Sequence, residues 1–341
     1  MQNHLATVLT ALALLDNPAQ LAVAAPLADL RGGQTGRIEF NSSNPVNRWQ
    51  MIRGRLGESQ TVWGDLLMPK NAAGKVPAVV FSHGSEGVTA MYFEVWARAL
   101  NDAGTAVFVV DSFKPRGLDN ITGPVKQLSY DAQVSNVSDA LHALKLLSTH
   151  PQIDANRIFH QGWSRGGSTV LAAAWPANQT VLPQGMKWAG SIAVYPGCNI
   201  RYRSEKPAMP SPMFMVLAAK DDMTPAAPCV EYAKDLIGSG NPVTYKVYEG
   251  AYHVFDRINH KFSYSREGTY RECDIDLRMP TKHEQSWGDG YDRLAKKPLL
   301  MPTDFSAAIK ACEVVASVVS ETNHKAREQA VSDVLEFIKK Y

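Results

Sequence analysis

The sequence predicts an α/β protein: a doubly wound, mostly parallel sheet with antiparallel strands at its N-terminal edge. Three observations carry this reading. From residue 77 onward, short apolar runs alternate with stretches of helical periodicity, and parallel strands need such crossover connections. PAVVFSHG (77–84) and TAVFVVD (105–111) are apolar on both faces, as central strands covered on two sides must be. Upstream, WQMIRGRL (49–56) and TVWGDLLMP (61–69) flank Gly57-Glu58-Ser59-Gln60 and read as an antiparallel hairpin.

The elements follow in order. MYFEVWARALNDAG (91–104) has helical apolar spacing and stops at Gly104, a natural C-cap. DAQVSNVSDALHALKLLSTH (131–150) is a long amphipathic helix ended by Pro151. RIFHQGWS (157–164) is a strand, and GGSTVLAAAW (166–175) is a helix. WAGSIAVYP (188–196), SPMFMVLAAK (211–220) and 243–248 are strands, with a helix over 226–237. Residues 256–302 are rich in polar and loop-forming residues, and helices over 304–320 and 324–340 close the chain. No linker divides residues 36–341, which read as one domain after an N-terminal arm over 1–35.

Composition narrows the function classes. Hydrophobic residues make up 45% of the 341, enough for a large buried core. The 35 basic and 33 acidic residues nearly cancel, and no basic run stands out, so nucleic acid is not an expected partner. LATVLTALALL (5–15) is too short to span a bilayer, which needs about 20 apolar residues. It matches the apolar region of a secretory signal, with small residues for cleavage in LAVAAP (21–26), although MQNH lacks the usual positive charge. Export to the periplasm or beyond is the expectation, a cytoplasmic enzyme with an N-terminal helix the alternative; a membrane span is not expected. The four cysteines, Cys198, Cys229, Cys273 and Cys312, suit two disulfides and lack the spacing of a zinc site. Four buried free thiols are the plainer reading.

Chemistry concentrates at GWSRGG (162–167). Gly162-x-Ser164-x-Gly166 lies between a predicted strand and a predicted helix, the setting of a nucleophile elbow. A serine there must occupy a sharp turn, and glycines on both sides let neighbouring backbone approach. The helix that follows aims its N–H groups where negative charge develops. An acid and then a histidine should follow at later strand ends. LAAKDDMTP (217–225) supplies Asp221, with Asp222 the competitor, and YEGAYHVFD (248–256) supplies His253. The N–H of Arg165 and that of Ser85, in FSHGSEG (81–87), are the expected oxyanion donors. His83 lies upstream of the serine and reads as support for that loop. Such a constellation hydrolyses acyl compounds through an acyl-enzyme and needs neither metal nor organic cofactor.

VVFSHGSEG (79–87), VVDSFKPRG (109–117), IFHQGWSRGG (158–167), AAKDDMTP (218–225) and YEGAYHVFD (248–256) together resemble α/β-hydrolases of the dienelactone hydrolase-like group. The resemblance implies the α/β-hydrolase fold, a carboxylic ester hydrolase acting on a small-molecule ester, and the roles just given to Ser164, Asp221 and His253. Members that act on dienelactone itself typically use cysteine where this chain has Ser164, so the resemblance does not carry the substrate over. An acyltransferase, a peptidase and a non-catalytic binding protein on the same scaffold are the competing readings.

Gly84, Glu86, Trp163 and Arg116 are candidate pocket residues. Arg116 either lines the pocket with Lys114 or, more commonly for a loop arginine, pins its own loop through a buried ion pair; Glu86 is within reach of pairing with either. Cys198 follows a strand and Cys229 opens a helix past the acid loop, so a bridge between them would brace Asp221. Cys273 and Cys312 would then tie 256–302 to the C-terminal helices. A loop of that length is usually functional; a cap over the pocket and an excursion packed on the sheet edge are equally open.

Overall fold

The computed structural model describes residues 25–72, 74–124, 126, 133–203, 209–279, 289–300 and 303–341. The apolar run over 5–15 and most of the expected cleavage segment lie outside the described residues.

Nine strands precede the segment rich in loops: β1 (Gly36–Asn44), β2 (Glu58–Leu67), β3 (Val76–Ser82), β4 (Ala106–Asp111), β5 (Ile153–Trp163), β6 (Ser191–Val194), β7 (Ile200–Arg203), β8 (Met213–Ala218) and β9 (Val243–Tyr248). All but β7 form one sheet in the order β1-β2-β4-β3-β5-β6-β8-β9. The pairs β1–β2 and β2–β4 are antiparallel, and every later pair is parallel.

Period-two alternation explains the two cores. In β3, Ala78 and Val80 face one layer while Val79 and Phe81 face the other. In β8, Met213, Met215 and Leu217 oppose Phe214, Val216 and Ala218 in the same way. One face is covered by helices over Gln133–Leu147, Arg165–Ala173 and Ala226–Gly238; the other by the segment from Tyr92 to Asp102 and the C-terminal helix His324–Lys340. Strands buried on both faces read as near-continuous apolar runs, and these do until the polar Ser82 and Asp111 at the ends of β3 and β4.

Three segments differ from the sequence reading. Trp49–Leu56 is not a strand: Arg48–Ile52 forms a short helix, α1, whose N-cap Asn47 accepts the Gln50 N–H at 3.0 Å. The hairpin partner of β2 is β1, in register from Gly36 opposite Leu66 to Asn44 opposite Glu58. The stretch 256–302 contains strands, β10 (Ser263–Thr269), β11 (Ile275–Arg278), β12 (Asp289–Asp292) and β13 (Lys297–Leu300). Residues 304–320 are not one helix. Thr303–Cys312 is helical, and Val314–Ser320 forms β14, antiparallel to β10.

Two small sheets result, β10–β14 and β13-β12-β11-β7. Short strands need outside anchors, and these have two kinds. Disulfides join Cys198 to Cys229 and Cys273 to Cys312. The buried Arg201 of β7 donates to Asp276 at 3.0 Å and to Asp274, both beyond the catalytic-side strands in sequence. A buried guanidinium is tolerated only when paired this way.

Candidate active site

β3, β5, β6, β8 and β9 end on the same edge of the sheet, and the loops that leave them converge there. Ser164 follows β5 with φ 53° and ψ −116°, the left-handed side of backbone space, at the start of the helix Arg165–Ala173. That strain is held by packing at its flanks. A Cβ on Gly162 would overlap the Gly166 carbonyl, and one on Gly166 would overlap the Ser82 carbonyl. The turn therefore closes only with glycine at both positions.

Ser164, His253 and Asp221 are brought together, each buried. His253 Nε2 accepts from the Ser164 hydroxyl at 3.0 Å, and its Nδ1–H donates to Asp221 Oδ2 at 2.7 Å. Asp221 Oδ1 in turn accepts the N–H groups of Met223 at 2.9 Å and Thr224 at 2.8 Å. The Thr224 hydroxyl stands 3.0 Å from the Tyr195 carbonyl oxygen and 3.1 Å from Asp221 Oδ2. Several donors to one carboxylate fix its orientation toward the imidazole. Asp222 is turned elsewhere: its carboxylate accepts the Val319 N–H at 3.0 Å.

The loop after β3 runs beside Ser164. Gly84 donates its N–H to the Tyr92 hydroxyl oxygen at 2.9 Å, and Arg165 Nε donates to Ser85 Oγ at 3.2 Å. His83 does not face the serine. Its Nδ1–H donates to the Gly84 carbonyl at 2.8 Å and its Nε2 accepts the Ser112 N–H at 3.1 Å. Burial lowers its pKa and keeps it neutral.

Arg116 is not a pocket residue. It forks onto Asp139 at 2.8 and 2.9 Å and also donates to Asn44 and to the Ser112 carbonyl, pinning its own loop. Glu86 pairs with Arg257 rather than with Lys114 or Arg116. Gly84, Glu86 and Trp163 do border a cavity at Ser164.

Sequence reasoning missed a buried layer beneath His253. Asp256 accepts Tyr195 OH at 2.7 Å and Trp96 Nε1–H at 2.8 Å, and the Tyr195 ring meets the His253 ring edge-on at 4.9 Å. Burial raises the Asp256 carboxyl above its ordinary range, and the two donors oppose that shift. The helical turn Tyr92–Ala97 is wound wide, in π geometry, and carries both Tyr92 and Trp96 toward the site. The only signal for Tyr195 in the sequence was its position at the carboxyl end of a predicted strand.

Ser164 borders two cavities. The smaller, about 110 Å³, is walled by Leu171, Ile200, Tyr202, Met223, Thr224 and Arg271. The larger, about 290 Å³, contains His253 and reaches to β10 and β14. Among the described residues, no group of three or more His, Cys, Asp or Glu side chains gathers to hold a metal ion.

The dienelactone hydrolase family pattern matches residues 63–274, more than half of the chain and the stretch that carries Ser164, Asp221 and His253. The chain belongs to the dienelactone hydrolase family. As a member it is a carboxylic ester hydrolase acting on small molecules. No curated protein matches it. Solved structures similar to it include one named for dienelactone hydrolase from Klebsiella pneumoniae, 19% identical, covering 64% of this chain and 88% of its own, with a TM-score of 0.46. A thermophilic esterase from the Planctomycetes species Thermogutta terrifontis is 16% identical, covering 57% of this chain and 79% of its own, with a TM-score of 0.45. The same esterase phosphonylated by cyclosarin gives 16%, 57% and 80%, with a TM-score of 0.46.

Proposed function

We propose that Ser164 is the nucleophile of this ester hydrolase, with His253 as its base and Asp221 as the group that orients and charges that base. The observation that carries this is the unbroken chain of contacts from Ser164 Oγ through His253 to Asp221, 3.0 and 2.7 Å long. His253 takes the Ser164 proton as Oγ attacks the ester carbonyl. Asp221 stabilises the imidazolium that forms and holds its tautomer. The N–H groups of Ser85 and Arg165 receive the oxyanion; removing one such donor typically costs 10²–10³ in rate. His253 then returns the proton to the departing alcohol, and water, activated by the same imidazole, hydrolyses the acyl-enzyme.

Residues 36–341 act as one catalytic unit in this reading, with β10 and β14 forming a wall of the site. Export is the compartment it favours. Two disulfides persist only where the surroundings are oxidising, and among the described residues no helix is long and apolar enough to cross a membrane.

Hydrolysis of p-nitrophenyl acetate by wild type and Ser164→Ala tests the assignment. Turnover that falls to background in the variant supports it. Full activity in a folded Ser164→Ala protein overturns it.

A further inference from the structure

The two cavities that meet at Ser164 are chemically unlike, and their positions relative to His253 tell them apart. The leaving oxygen must receive its proton from His253 Nε2, so the alcohol lies on the side that contains His253. His253 borders the larger cavity and not the smaller. The acyl chain therefore occupies the smaller one.

The exposed wall of the smaller cavity is mostly apolar, from Leu171, Ile200, Tyr202 and Met223, with Arg165, Asn199 and Arg271 also bordering it. At about 110 Å³ it is somewhat smaller than the roughly 150 Å³ apolar cavity that accommodates benzene. It takes a short acyl group of roughly half a dozen heavy atoms at most.

The larger cavity is the more polar of the two: hydroxyls line part of it, alongside apolar surface from Met91, Trp163, Met223 and Val254. Strand β10 presents Ser263, Ser265 and Glu267 to it, alternate residues on one face, while Tyr264 points away and is exposed. Ser320 lines it from β14. His260 Nε2 stands 3.0 Å from Ser263 Oγ and 2.9 Å from Ser320 Oγ, and the two hydroxyls are 3.1 Å apart. Burial and the nearby Arg257 lower the His260 pKa, so its ring is neutral there. The cavity's charged pair, Glu86 with Arg257, cancels. Glu267 Oε2 accepts the Gly123 N–H at 2.6 Å. Hydroxyls and a neutral imidazole both donate and accept, which fits a ligand that does the same. Each hydroxyl keeps acceptor capacity beyond these internal bonds, which an alkyl group would leave unmet and a polyol hydroxyl would use.

We propose that the substrate is a short-chain acyl ester of an uncharged, hydroxyl-rich alcohol of the sugar or polyol type. The proposal rests on Ser164 as nucleophile and deepens that reading. The ester C–O bond breaks as the His253 proton passes to the sugar oxygen, and water supplies the hydroxyl of the released acid.

The test compares an acetylated methyl glycoside with pentyl acetate, alongside p-nitrophenyl esters from acetate to decanoate, on wild type, Ser164→Ala and Ser265→Val. Ser265 is exposed on its strand, so its variant keeps the fold. The expected result is at least tenfold higher kcat/KM on the glycoside acetate than on pentyl acetate. The p-nitrophenyl series should fall at least tenfold beyond hexanoate. In Ser265→Val the ratio of glycoside to p-nitrophenyl acetate turnover should drop at least fivefold. Equal or better activity on pentyl acetate, or a decanoate optimum, overturns the proposal while Ser164-dependent turnover leaves the nucleophile standing. Turnover indifferent to Ser164→Ala overturns both.

Discussion

Asp221 and Asp222 are adjacent in the chain and hold different elements: Asp221 meets His253 at 2.7 Å, and Asp222 meets the Val319 N–H of β14 at 3.0 Å. The two substitutions should therefore separate cleanly. Asp221→Asn should lower kcat by about 10³–10⁴ with little change in KM, because the amide favours the wrong tautomer of His253. Asp222→Asn should leave kcat within about fivefold and weaken the β14 attachment by no more than about 1.5–3 kcal/mol, the range for a charged hydrogen bond, since the amide keeps one acceptor. Steady-state kinetics and urea unfolding on both variants decide it. Equal losses of kcat would remove the distinction.

Asp256 acts through its neighbours. Asp256→Ala strands the buried Trp96 N–H and Tyr195 O–H, each worth about 1–3 kcal/mol. It also frees the Tyr195 ring that stands against His253 and relaxes Val254, which sits at φ 54° between His253 and Phe255. Stability should fall by about 2–6 kcal/mol and kcat by roughly tenfold or more, as expected for a displaced base. Asp256→Asn keeps one acceptor and should recover part of both. If Asp256→Asn unfolds as wild type does and also keeps full kcat, the carboxylate plays no part in holding the base.

The disulfides close segments of 31 and 39 residues. Chain-entropy arguments give roughly 3–4 kcal/mol for each. Denatured, unreduced protein should titrate no thiols, and reductant should lower the thermal midpoint by several degrees. The Cys198–Cys229 bridge lies next to the loop of Asp221, so Cys229→Ser should lose activity at a lower temperature than Cys312→Ser. Four titratable thiols would contradict both expectations.

His160 is wholly buried, stacked on Trp188 at 4.6 Å with its Nε2 2.8 Å from Ser82 Oγ, and burial lowers its pKa to about 3. Its unfolded value is about 6.5. The unfolded chain therefore binds the proton first as pH falls, and stability declines from about pH 6.5 downward toward that folded value. Burial lowers His83 as well, adding a second proton to the same slope. Thermal midpoints between pH 7.5 and 4 should fall steadily, and less steeply in His160→Gln. An unchanged slope in that variant would locate the acid sensitivity elsewhere.

The central strands β3, β4, β6 and β8 of the large sheet were legible because they are buried on both faces, which leaves a nearly unbroken apolar run in the sequence. Within the site, Asp221 follows such a run at the end of β8, whereas Ser164 and His253 follow β5 and β9, which carry polar residues, and were legible from the Gly162-x-Ser164-x-Gly166 spacing and the order serine, acid, histidine. The errors fall where burial uses polar groups. β1 ends in Asn41-Ser42-Ser43-Asn44, and the buried Ser42 and Ser43 hydroxyls are held by Ser138, 3.3 and 2.7 Å away, a partner far along the chain. Trp49 and Met51 are both buried on α1, a two-residue spacing that imitates a strand because a five-residue helix is too short to display its own period. β14 buries Ala316, Val318 and Ser320 in strict alternation, a strand signal hidden by the helix that ends at Cys312. The strands β11 to β13 owe their order to Arg201 and a disulfide, contacts that no local pattern displays.

The most direct test of the account is to react the protein with a p-nitrophenyl phosphonate and map the adduct by peptide mass spectrometry. The account predicts one phosphonyl group, on the peptide containing Ser164, with turnover lost in proportion to labelling and labelling lost in His253→Ala. An adduct on another serine, or full inactivation with Ser164 unmodified, would contradict it.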